Sequence, residues 1–158
     1  MTLVTGAVRQ YRPVMRIGEI LASKQRGDVV TVGPEAGVRD LVAMLAEHNV
    51  GALVVSEDGA TMTGIVSERD VVRHLHHDGT VVNNHVGAIM TTDVWTCSPD
   101  DDLDDVMSQM TDRRIRHVPV LGEGGSLVGI ISIGDVVKHK IDALQFERDQ
   151  LDSYVHQS

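Results

Sequence analysis

The chain has 158 residues, 42% of them hydrophobic and 23% charged, enough to bury a substantial core. A formal net charge of -9 argues against bulk nucleic-acid binding, which calls for a basic face, but leaves room for a small basic pocket. No run approaches the roughly 18–20 uninterrupted apolar residues of a membrane-spanning helix, and the N-terminus lacks the apolar region of a secretory signal.

Residues 1–14 read as a leader. Arg9, Arg12 and Arg16 precede the first acid, Glu19, a pattern shared with organelle transit peptides, but a short leader that caps a dimer or lies loose is the plainer reading. Aromatic residues make up only 3% of the chain, so the core must come from Val, Ile, Leu, Ala and Met. A single cysteine, Cys97, excludes an internal disulfide and cysteine-pair zinc motifs, and fits a reducing, cytoplasmic compartment.

From residue 31 onward the sequence repeats itself. At a shift of 65, Thr31-Val-Gly-Pro34 falls on Thr96-Cys-Ser-Pro99. Val38, Leu41, Val42 and Leu45 fall on Leu103, Val106, Met107 and Met110, two sets with the i, i+3, i+4, i+7 spacing of an amphipathic helix. Residues 50–55 fall on residues 115–120 as a buried strand, and turns follow at Asp58-Gly59 and Gly124-Gly125. Gly64-Ile65-Val66-Ser67-Glu68-Arg69-Asp70 then falls on Gly129-Ile130-Ile131-Ser132-Ile133-Gly134-Asp135. Upstream, Ile17-Gly-Glu-Ile20 matches Val86-Gly-Ala-Ile89 at a shift of 69, so the first copy holds four extra residues within 23–28.

The fold expected is α+β. Two βαββα repeats, 15–76 and 86–143, pair about a pseudo-twofold axis, joined by a polar linker at 77–85 and followed by a helical tail, 144–158. The polar character of this join begins at His74. Val137, Ile141, Leu144, Leu151 and Val155 keep helical phase, which predicts a long C-terminal helix, with one break allowed, packing on the other repeat or a second subunit. One repeat of about 60 residues is marginal alone. Pairing two of them makes clefts at the junction, where ligands usually bind.

The motif Ser-x-x-Asp has a structural reading as a capping box, in which serine and acid bond to the free amides of a helix start. Its duplication, behind a glycine at the same spacing and at the expected junction, favours a ligand site. Free amides and the helix dipole suit a phosphate, and a carboxylate one turn on suits ribose hydroxyls.

With these residues in hand, Thr-x-x-Pro, amphipathic helix, strand, turn and Gly-Ile-x-Ser-x-x-Asp, present twice, resemble the tandem cystathionine-β-synthase (CBS) domain. Ile115-Arg-His-Val-Pro-Val120 resembles the second-strand signature of that family. The resemblance covers about residues 15–143. It implies an adenine nucleotide ligand, such as AMP, ADP, ATP, NAD or S-adenosylmethionine, bound between the repeats, and often a homodimer. By position, it implies Asp70 and Asp135 on ribose, Ser67 and Ser132 near phosphate, and Thr31, Thr96, Ile65 and Ile130 around adenine. Arg116 and His117 would reach phosphates, as would Arg69. Gly51-Ala52 stands where the second half has Arg116-His117, so two clefts of unequal character are expected.

Other clusters carry less. His74, His76, His77 and His85 lack the fixed frame of a metal site. The Asp100–Asp105 run fails as a calcium loop, with Asp105 and Thr111 where glycine and glutamate are needed. It reads instead as a helix start, capped by Ser98 and opened by Pro99. Arg113, Arg114 and Arg116 form the densest basic cluster, partly a solvated helix end. Cys97 reads as a packed thiol. With no phosphate-binding loop, nucleophile elbow or dinucleotide fingerprint, the chain reads as a binder without a catalytic cofactor: a nucleotide-sensing regulatory module for an unknown protein partner. The rivals are a structural dimerisation module with vestigial clefts, and an enzyme using His117 as acid or base.

Overall fold

The computed structural model describes residues 14–24 and 29–156. Most of the leader, four of the residues within 23–28, and the last two residues of the tail lie outside it.

In the first half, β1 (Thr31–Val32) runs parallel to β2 (Ala52–Ser56), and β2 pairs antiparallel with β3 (Met62–Ser67). Helix α2 (Val38–His48) lies between β1 and β2 in the chain, and α3 (Glu68–His77) follows β3. The second half repeats the order with α4 (Leu103–Arg113), β4 (His117–Leu121), β5 (Leu127–Ser132) and α5 (Ile133–Val155). Its leading strand shrinks to one parallel bridge, Cys97 to Val120. Ala52 faces Ser67 in one hairpin and His117 faces Ser132 in the other, so the repeats keep one register. The two predicted turns are present, with left-handed backbone at Gly59, Gly124 and Gly125.

Each repeat completes its core with the other repeat's leading segment. Helix α1 (Ile17–Ser23) precedes the first half, yet Ile17 and Ile20 are fully buried among Leu103, Val106, Met110, Val118 and Ile131 of the second. Val81, Val86 and Ile89 reciprocate by packing against Val38, Leu41, Val55 and Val66. The backbone bonds mirror one another: Gly18 N–H donates to Pro99 O at 2.9 Å, and Gly87 N–H donates to Pro34 O at 2.9 Å. Fully burying an Ile or Val side chain is worth about 1.5–3 kcal/mol, so neither repeat is complete without the crossing segment.

That crossing accounts for the motif glycines. A side-chain carbon at Gly64 would stand 2.6 Å from Thr91 O, and one at Gly129 would stand 2.6 Å from a Leu21 methyl. Thr91 continues as a bridge to β3, its N–H donating to Ile65 O at 2.8 Å while Ile65 N–H donates to Thr91 O at 2.9 Å.

Two expectations change, and the long C-terminal helix is present. The stretch 74–85 is not a solvated linker throughout. His74, His76 and His77 finish α3, and a 3-10 turn, Gly79–Asn83, buries Val81 because the first core needs an apolar side chain there. Helix α4 starts at Leu103 with Asp102 as its cap, not at Pro99; Ser98 and Asp101 instead close a preceding turn, where Ser98 N–H donates to Asp101. Pro99 O is needed by Gly18, which keeps that turn out of the helix. Helix α5 runs unbroken for 23 residues. No helix among the described residues is long and apolar enough to cross a membrane.

Candidate functional site

A cavity of about 840 Å³ opens between the two halves, a volume suited to a ligand of nucleotide size. The hairpin β2–β3 and α3 form one wall; the end of α4, Arg116-His117 and the segment 91–95 form the other.

Of the residues singled out in sequence, Ile65, Ser67, Arg69, Asp70, Arg116 and His117 line this cavity together. Ser67 and Asp70 also form the capping box of α3. Asp70 N–H donates to Ser67 Oγ at 3.2 Å, and Asp70 Oδ2 accepts from Ser67 N–H at 2.8 Å and Ser67 Oγ at 3.1 Å. Arg69 and Arg73, one turn apart on α3, both border the cavity.

The remaining candidates, Thr31, Thr96, Ile130, Ser132 and Asp135, are not among its walls. Ser132 and Asp135 form the equivalent capping box on α5. There Lys24 pairs with the motif: its Nζ stands 2.6 Å from Asp135 Oδ2 and donates to Ile130 O at 2.8 Å. Ser23 Oγ lies 2.9 Å from His139 Nε2 alongside. Burial works to raise the Asp135 carboxyl, but the Lys24 bond and the Ser132 amide outweigh it and hold the group below the ordinary value. In the corresponding stretch of the second repeat, Asp93 lines the open cavity with Asp70. One crossing segment thus brings a cation to its motif, and the other brings an anion to the open cavity.

His117 stands between the halves. An added side-chain carbon at Gly51 would come within 3.2 Å of its ring, so the small Gly51-Ala52 of the first repeat accommodates the large Arg116-His117 of the second. Burial pushes the imidazole below its ordinary value; Glu68 and Asp135 pull it upward, while Lys24 and Arg116 reinforce burial. Cys97 is buried, and its thiol is pushed up to about 12, first by burial and then by Asp101, as expected of a packed thiol.

Several cavity residues escaped the sequence reading. Arg113 and Arg114 join Arg69, Arg73 and Arg116, giving five arginines against the carboxylates of Glu68, Asp70 and Asp93. The cavity is therefore formally positive in a chain of net charge -9. Trp95, the one tryptophan of the sequence, also lines it, and the Arg113 guanidinium lies 5.5 Å from its ring centroid. Arg114 ends α4 in the left-handed region, φ 55° and ψ 43°, where the first repeat has Asn49 at φ 51°. Asparagine tolerates that conformation better than arginine, and such strain concentrates at functional sites. Charge density pointed to the Arg113–Arg116 cluster; Trp95 and Arg73 carried only their rarity and their one-turn spacing from Arg69.

The sequence matches the CBS domain family over residues 17–77 and 86–142. The chain belongs to the CBS-domain family. Among relatives of known sequence, it is 35% identical over 147 residues to the mitochondrial CBS domain-containing protein CBSX3 of Arabidopsis thaliana, covering 88% of this chain and 71% of that protein. Among solved structures, it is similar to the CBS-domain protein ATU1752 from Agrobacterium tumefaciens, with 40% identity and a TM-score of 0.75 over 80% of this chain and 99% of that one. The CBS domain pair of MJ0100, in complex with 5-methylthioadenosine and S-adenosyl-L-methionine, shares the fold at 22% identity and a TM-score of 0.69, over 80% of this chain and 95% of that one.

Proposed function

We propose that this CBS pair is a cytoplasmic regulatory module, not an enzyme, that binds one phosphate-bearing adenine nucleotide per chain in the open cavity. The observation that carries this reading is the convergence of Ser67 and Asp70 with five arginines on one cavity of nucleotide size. Asp70 would accept from ribose hydroxyls, and Ser67 and the start of α3 would face phosphate. Arg69, Arg116 and neutral His117 would take the remaining phosphate oxygens. Adenosine is the part common to both ligands of the MJ0100 pair.

The mechanism is a population shift. A ligand that touches both α3 and the Arg116-His117 wall favours one angle between the repeats, or between the subunits of a homodimer, and a protein partner reads that angle. The working unit is the pair, 15–143, since each core borrows from the other repeat.

A structural reading has its own support: both capping boxes are satisfied within the chain. A thermal-shift panel of AMP, ADP, ATP, NAD, NADH and S-adenosylmethionine separates the two. At one hundred times its dissociation constant, a ligand stabilises by about 2.7 kcal/mol. A rise in melting temperature with one phosphate-bearing ligand, lost in Arg116→Ala, supports the sensor. No rise with any ligand would leave the dimerisation module as the better account.

A further inference from the structure

His117 differs in kind from the other charged groups of the cavity. Those are the carboxylates of Glu68, Asp70 and Asp93 and the five arginines, whose ordinary values lie far from neutral pH. An imidazole, with an ordinary value near 6.5, changes charge in that range. The ring is placed by β4, where His117 faces Ser132 across the hairpin, and by Gly51, which leaves room for it. A side-chain carbon at Gly51 would stand 3.4 Å from His117 Nε2 and 3.4 Å from Glu68 Oε1, so the ring and that carboxylate meet over one point of the first repeat. The half-buried ring makes no side-chain hydrogen bond among the described residues, which leaves its nitrogens to a ligand.

We propose that nucleotide binding in this cavity draws a proton onto His117, so that the module reads pH together with its ligand; the inference rests on the phosphate-binding reading given above. The charges acting on the ring come from four elements. Glu68 on α3 and Asp135 on α5 favour the proton, while Lys24 at the end of α1 and Arg116 beside the ring oppose it. Burial opposes it most strongly, and the opposing side prevails. The remaining charges of the cavity, Arg69, Asp70 and Arg73 on α3, Asp93, and Arg113 and Arg114 at the end of α4, stay fixed near neutral pH. A phosphate set against Arg116 offsets that cation and brings an anion beside the ring, and both changes favour imidazolium. Proton and nucleotide then strengthen one another's binding by the same factor. Affinity rises as pH falls through the value of the bound ring, and levels off below the value of the free one.

Calorimetric titration of the wild type with AMP, ATP and NAD, each in two buffers of different ionisation enthalpy, counts the protons taken up per nucleotide. Uptake of part of a proton is expected at pH 7. The dissociation constant should fall about threefold or more between pH 7.5 and 6.5, against the tenfold per pH unit that one whole proton gives. His117→Gln, which keeps an N–H donor, should abolish this part of the slope. The terminal phosphates of AMP and ATP titrate near pH 6 themselves, so the quantity read is the difference between wild type and variant. Histidine NMR of the wild type should show one ring moving toward the imidazolium position when nucleotide is added at constant pH, a readout that does not depend on the variant folding. Binding without proton uptake, or uptake unchanged in His117→Gln, would overturn the coupling and leave the nucleotide reading in place. No binding of any of the three nucleotides would overturn both.

Discussion

The two clefts of this protein start from the same motif and end differently. In one, Ser67 and Asp70 border an open, arginine-lined cavity; in the other, Asp135 is paired with Lys24. The caps are alike in partners and nearly alike in distance, so the motif alone does not make a site. What differs is the segment that crosses from the opposite repeat, which carries Lys24 on one side and Asp93 on the other. The duplication kept the scaffold and let the crossing segment decide which cleft stays open.

The largest effect on stability should come from the glycines where the segments cross. Gly64→Ala sets a methyl against the Thr91 carbonyl, which is fixed backbone, and should cost about 1–3 kcal/mol. Gly129→Ala meets only the end of the Leu21 side chain, which can turn away, and should cost less than about 1 kcal/mol in urea denaturation. Equal costs would mean that the two crossings are equally rigid.

Lys24→Met should cost about 1 kcal/mol at pH 7, since the pair it breaks is only partly shielded from water. The sign with pH follows from the depressed Asp135 carboxyl. Its contribution is present above the unfolded value near 3.8 and is lost as pH falls through the lower folded value. Without Lys24 the folded carboxyl should return toward that unfolded value, so the part of the acid loss that Asp135 carries should shrink, as read by urea denaturation across pH.

His117 works in the same direction at higher pH. Its imidazole is held neutral, so below about pH 6.5 the unfolded chain takes up a proton more readily than the folded one, and stability falls as pH drops toward the folded value. His117→Gln should flatten the stability profile between pH 7 and 5. A smaller effect should come from Arg114→Asn: a gain below about 1 kcal/mol from relieving the left-handed arginine, together with weaker nucleotide binding.

The repeats were legible in the sequence because their apolar spacing, turns and glycines recur at one shift. The capping boxes and the grouping of Ile65, Arg69, Arg116 and His117 followed from that register. The exchange of leading segments was not legible. Ile17 and Val86 read as members of their own repeats, and nothing in local periodicity says which core receives an apolar turn. For the same reason Lys24 drew no notice: it becomes a partner of Asp135 only once α1 crosses to the second half. The start of α4 was misplaced because Ser98-Pro99 is a good helix opening locally, while the competing use of Pro99 O by Gly18 is a long-range contact.

The central claim is that one cleft binds and the other is closed. Calorimetric titration with whichever nucleotide gives the largest thermal shift tests it directly, on the wild type, Asp70→Ala and Asp135→Ala. The account predicts one ligand per chain, affinity weakened at least tenfold in Asp70→Ala, and affinity changed less than twofold in Asp135→Ala. Two equivalent sites per chain, or a loss of binding confined to Asp135→Ala, would contradict it.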